Sequence, residues 1–64
     1  MTPKQCRVKS RMTEQQIADL IGITLKDYLY YERNPEKMPL FIARLFSNVV
    51  RVSIDDIFFI ANSN

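Results

Sequence analysis

The chain has 64 residues, 47% of them apolar, with nine Lys and Arg against seven Asp and Glu for a net charge of +2. A chain of this size forms one domain and buries roughly 60% of its unfolded surface, and its apolar share excludes a disordered segment. One cysteine and no histidine exclude an internal disulfide and a zinc site of the usual Cys/His kind.

Cys6 has no imidazole to pair with and reads as a small apolar residue on the inner side of the first helix. No run approaches the ~20 apolar residues of a membrane span, and no signal peptide is visible. With the polar residues that follow Met1, this leads us to expect a cytoplasmic protein. The only glycine, Gly22, leaves no Gly-rich phosphate loop, and no acid pair stands beside a nucleophile. Enzymatic chemistry, a cofactor, a metal and a small-molecule ligand are therefore not expected. Charge is unevenly placed: Lys4, Arg7, Lys9 and Arg11 precede any acid, while five basic and seven acidic residues follow Thr13. The basic end suits a polyanion, although on charge alone a solvated helix face is the favoured account of it.

In chain order, Thr2-Pro3 reads as an N-cap with proline at the first helical position, which predicts a helix over about 3–10 carrying Cys6 inward and Val8 at its edge. Met12 tucks into the core after it. Thr13 caps the next helix, 14–21, with Gln16 completing a Thr-x-x-Gln capping box. Ile17, Leu20 and Ile21 form its inner face at i, i+3, i+4, and Ala18 is small enough to sit under a crossing helix. Gly22 ends it, since a left-handed C-terminal residue costs little without a Cβ. Thr24 caps a third helix, 25–32, with Asp27 as the acidic half of a capping box and Tyr28 and Tyr31 on its inner face. Residues 14–33 thus read as a helix-turn-helix.

Asn34-Pro35 breaks the third helix, and the loop 34–39 shows no apolar pattern. A fourth helix over about 40–50 carries the stripe Ile42, Leu45, Phe46, Val49 and Val50, with Phe41 off it. The β-branched run 48–54 is the one alternative strand candidate. Ser53 caps a last helix with Asp55 and Asp56 in its first turn and Ile54, Ile57 and Phe58 facing inward. Residues 61–64 read as a frayed tail.

With these pieces in place the chain resembles the lambda-repressor-like helix-turn-helix domains, the Cro/repressor (XRE) type of phages and bacterial regulators, over about residues 5–58. The residues that carry the resemblance are Arg7, the run MTEQQIADLIGIT, the run YERN, Pro39 and the ending VSIDDIF. Ile17, Ala18, Ile21, Gly22, Ile23, Tyr28 and Tyr31 fill the positions where that family has aliphatic, Ala, aliphatic, Gly, aliphatic, and two aliphatic or aromatic residues. The resemblance implies an all-α, compact five-helix domain, spanning 1–64 here, that binds double-stranded operator DNA as a homodimer and regulates transcription.

By position it also implies a DNA-facing set of Thr24, Leu25, Lys26, Leu29, Tyr30, Arg33 and Lys37. Glu14 stands where the family often places a phosphate-touching Gln, and Asn34 where it usually has Gly, a place suited to the left-handed region. Lys26 and Tyr30 lie one turn apart and can meet phosphate, sugar or guanine together. Leu25 and Leu29 share that side and suit either thymine methyls or a protein partner. Arg33, Lys37 and the loop 34–39 suit phosphates. Glu32 is placed to pair with Arg7 and tie the first helix to the third. Phe41, Phe59 and Ile60 are a surplus of apolar groups, which reads as a dimer surface or as the completion of a single core. A protein-interaction module that binds another regulator protein through the Glu14, Leu25 and Leu29 face is the alternative function.

Overall fold

The computed structural model describes residues 1–57 and 59, and Phe58, Ile60 and the expected tail 61–64 lie outside them. The described chain is all-α: α1 Pro3–Lys9, α2 Glu14–Ile21, α3 Leu25–Arg33 and α4 Leu40–Val50, with single 3-10 turns at Pro35–Lys37 and Ile54–Asp56 and no strand among these residues. No helix among them is long and apolar enough to cross a membrane.

The helix starts follow from their caps. Thr2 and Thr13 each accept from the backbone N–H three residues on, while Gln5 and Gln16 return the bond to the Thr2 and Thr13 amides, so both α1 and α2 open with a full capping box. At α3 the Thr24 hydroxyl accepts from the Asp27 N–H at 3.1 Å. α2 ends at Gly22, with φ 90°, where the amides of Gly22 and Ile23 both bond the Ala18 carbonyl. That paired closure needs a left-handed residue, and glycine takes it without steric cost. Three residues, 22–24, then separate α2 from α3.

Where the family resemblance puts a left-handed residue at Asn34, the structure has φ −130° and ψ 70°. The cause is Pro35, whose ring disfavours helical and left-handed geometry in the preceding residue. Asn34 closes α3 differently, its backbone N–H and its side-chain amide both donating to the Tyr30 carbonyl. Two arginines do take the left-handed region, Arg11 after α1 and Arg51 at the end of α4, with φ 57° and 58°. α4 therefore runs to Val50 and the strand alternative for 48–54 is not adopted.

The core is built from Cys6, Ile17, Ala18, Ile21, Tyr28, Ile42, Ala43, Phe46, Val50 and Ile57, with Met38 beneath the loop that the sequence left without an apolar anchor. Tyr28 and Phe46 stack with ring centroids 6.3 Å apart. Met12, Ile23, Tyr31, Val49, Ile54 and Phe59 pack partly buried against this cluster. Two expected core residues are outside it. Leu20 is 61% exposed, because burial of Ala18 beside Ile17 and Ile21 turns the inner arc of α2 away from it. Leu45 is 41% exposed for the same reason on α4, where Ile42, Phe46 and Val50 at i, i+4, i+8 face inward together with Ala43.

The last expected helix is also different. Ser53 caps only the Asp55 amide, at 3.3 Å, and Ile57 is already extended, so Ile54–Asp56 is one 3-10 turn and not the start of a fifth α-helix. Two adjacent aspartates and flanking β-branched residues give little helix propensity to offset the cost of nucleation. Ahead of the turn, Ser47 Oγ donates to the Val52 carbonyl at 2.6 Å and Ser10 Oγ to the Val50 carbonyl at 3.1 Å, and within it the Met1 amino group donates to the Asp56 carbonyl at 2.8 Å.

Candidate nucleic-acid interface

α3 is nine residues long, LKDYLYYER, or roughly 13 Å at 1.5 Å per residue. It is held by one face. Tyr28 is fully buried and Tyr31 half-buried, while Glu32 turns inward to meet Arg7 of α1. The helical repeat then directs Lys26, Tyr30 and Arg33 outward, all exposed, with Leu25 and Leu29 half-buried along one margin. Leu25, Lys26, Leu29, Tyr30, Arg33 and Asn34 line an open depression of about 520 Å³. The Tyr30 ring stands edge-on to Tyr31, centroids 5.8 Å apart, which braces it at the rim. Thr24 lies exposed at the head of the helix, its hydroxyl committed to the cap.

What fixes α3 in place is an ion pair in a nearly closed setting. Arg7 Nε donates to Glu32 Oε2 at 2.9 Å and Nη2 to Oε1 at 3.2 Å, a two-pronged contact between side chains only 14% and 7% exposed. Tyr28 donates its hydroxyl to Glu32 Oε2 at 2.5 Å, the oxygen that also accepts from Arg7 Nε, and Arg7 Nη1 donates to the Met12 carbonyl at 3.2 Å. Glu14, the acid where a phosphate contact was expected, lies 4.0 Å from Arg7 Nη2 and so leans on the same cation. No buried side-chain N or O atom among the described residues lacks a partner.

The electrostatics follow from that geometry. Burial pushes the Glu32 carboxyl up, but the hydrogen bonds from Arg7 and Tyr28 outweigh it and leave the group below the usual range. Burial, with the Glu32 carboxylate beside it, pushes the Tyr28 hydroxyl well above its ordinary value of 10, and the contact with Glu32 raises Arg7. Burial also raises the Cys6 thiol. The depressed Glu32 contributes stability present above its unfolded value and lost as pH falls through its folded one. The raised Tyr28 and Cys6 contribute stability present below their unfolded values and lost as pH rises beyond them. With no histidine to titrate between, melting temperature is expected to be flat from about pH 6 to 8 and to fall on both sides, and Glu32→Gln is expected to flatten the acid limb. Thermal melts across pH check this, and a step near pH 6.5 would contradict it.

A second depression, of about 460 Å³, adjoins the first through Leu29 and Arg33 and is lined also by Lys4, Arg7, Glu14 and Glu32. It brings exposed Lys4 beside Arg33, a neighbour absent from the expected DNA-facing set. The signal was present: Lys4 lies three residues before Arg7, hence on the same face of α1, and Arg7 was already paired with α3. Lys37 is exposed on the Pro35–Lys37 turn that follows α3.

Of the expected dimer residues, Phe41 is 66% exposed, with Leu40 and Leu45 exposed beside it on α4. Phe59 is half-buried against the core, and Ile60 lies outside the described residues. No group of three or more metal-ligating side chains occurs among the described residues. Comparison with protein-family models, with curated proteins and with solved structures finds no match to this chain.

Proposed function

We propose that this chain is a sequence-specific DNA-binding regulator of transcription of the Cro/repressor kind, in which α2 and α3 act as a helix-turn-helix. The observation that carries the reading is the division of α3 into an inner face locked by Tyr28 and Glu32 and an outer face offering Lys26, Tyr30 and Arg33. A rod of this length and width enters the major groove of B-DNA, about 12 Å wide. α2 braces it across the Gly22 turn, Arg7 of α1 fixes its roll, and Lys4 and Lys37 flank it for phosphate contact. A two-fold dimer then presents two such helices to half-sites one helical turn, ~34 Å, apart. The exposed Leu40, Phe41 and Leu45 on α4 are the surface through which we propose that copies pair. Binding of this kind represses where it occupies a promoter, and repression in the cytoplasm is the sign of control we propose.

Lys26→Ala and Tyr30→Ala each remove an outward group without touching the core. Each is expected to weaken binding to a selected operator about 10-fold or more, the scale of one good base or phosphate contact of ~1–3 kcal/mol, with circular dichroism unchanged. Mobility-shift titration checks this, and parental affinity in both variants would remove these two residues from the groove.

The half-buried Leu25 and Leu29 with Glu14 nearby favour a second reading, a module that binds another regulator protein through this face. Apolar side chains and an acid suit a protein surface as well as a groove.

A further inference from the structure

Which bases the α3 surface distinguishes follows from what its side chains have left to offer, and this inference rests on the DNA-binding reading above. Adenine is best read by a free side-chain amide, whose N–H donates to N7 while its oxygen accepts from the N6 amino group. On and around this face each amide already has one of its two groups engaged, which removes the two-pronged contact. Asn34 Nδ2 donates to the Tyr30 carbonyl at 3.0 Å, Gln15 Nε2 to Asp19 at 2.8 Å, and Gln16 Oε1 accepts from the Thr13 amide at 2.8 Å. The Thr24 hydroxyl is held by the Asp27 N–H. What remains outward is a pair of cations, Lys26 and Arg33, a phenol, Tyr30, and the ridge of Leu25 and Leu29 one turn apart.

An aliphatic side chain has one partner of its own chemistry on the floor of the major groove, the C5-methyl group of thymine. The ridge is half-buried and so held in place, and the cations beside it complement the phosphates on either side of such a base. We infer that Leu25 and Leu29 select thymine by its 5-methyl group, so that the operator half-site is defined by methyl positions, with guanine or phosphate contacts from Lys26 and Arg33 next to them.

Replacing thymine by uracil in the duplex removes the methyl and leaves every Watson–Crick bond intact. The site is first selected from random duplex DNA, then synthesised with uracil at each thymine of one half-site in turn and at all together. Affinity is expected to fall about four-fold per contacted methyl, the scale of burying one such group, and about 10-fold or more with all replaced. The double variant Leu25→Ala with Leu29→Ala, checked for parental helicity, is expected to bind the thymine and uracil duplexes alike, and each single variant to lose only part of the discrimination. Equal affinity of the parent for both duplexes overturns methyl reading and leaves DNA binding standing. Failure of the folded parent to select any duplex at low salt overturns both and points to a protein occupant of the ridge. The parent's own comparison of the two duplexes decides the matter even where a leucine variant does not fold.

Discussion

Glu32→Ala is expected to leave the domain largely unfolded at 37 °C. The substitution leaves the Arg7 side chain, 14% exposed, with only the Met12 carbonyl and the more distant Glu14, and takes the acceptor from the buried Tyr28 hydroxyl in one step. Removing one partner of a largely buried pair costs about 3–5 kcal/mol, because the other charge is left mostly shielded from water. A domain of this size has on the order of 3–10 kcal/mol in total, at ~0.05–0.15 kcal/mol per residue, so the loss takes most of the stability. Replacing the whole cluster with apolar side chains of similar shape (Arg7→Met, Tyr28→Phe and Glu32→Leu together) is expected to recover much of it, since no orphaned group then remains. Urea titrations of the parent, the single variant and the triple variant separate these cases. A single-variant cost below about 1 kcal/mol would place the pair among exposed ion pairs. The cluster would then not be what sets the roll of α3.

Raising salt from 50 to 200 mM is expected to weaken duplex binding by about 10³-fold or more. Lys4, Lys26, Arg33 and Lys37 are all exposed on or beside α3. In a dimer they allow roughly six to eight phosphate contacts, each releasing counterions and contributing ~−0.9 to the slope of log affinity on log salt. Lys4→Ala is expected to reduce that slope by about 1 per subunit without changing which sequences are preferred, because phosphates position and do not specify. Binding through the Leu25–Leu29 ridge to another regulator protein would behave differently. Its main term is apolar burial, which moderate salt leaves almost unchanged. A nearly flat salt response with a measurable partner would therefore favour the protein-interaction reading.

Much of this architecture was legible in local chemistry. Thr13 with Gln16, Gly22, and Asn34-Pro35 each act over a few residues, so the bounds of α2 and α3 could be read from the chain and match the structure within one residue. The Arg7–Glu32 pair was expected too, from the places the two residues take in the family resemblance. Less legible was how far each inner face turns. Periodicity names a stripe but not its width, and the small Ala18 and Ala43 let α2 and α4 settle in a way that brings Leu20 and Leu45 out. Met38 anchors a loop whose sequence shows no period, because one buried residue between prolines leaves none to see. The Ile54–Asp56 turn, likewise, is tied by the Met1 amino group to the Asp56 carbonyl, a bond across the whole domain that no local pattern displays. On α3, the shared outer side of Lys26 and Tyr30 was readable from their spacing, whereas Lys4 beside Arg33 depends on how α1 crosses α3.

The most direct measurement is selection of bound sequences from random duplex DNA by the purified chain at low salt. Entry of the outer edge of α3 into the groove requires enrichment of a palindrome with half-site centres ten to eleven base pairs apart, ~34–36 Å. A well-folded protein that enriches no sequence under those conditions would contradict it.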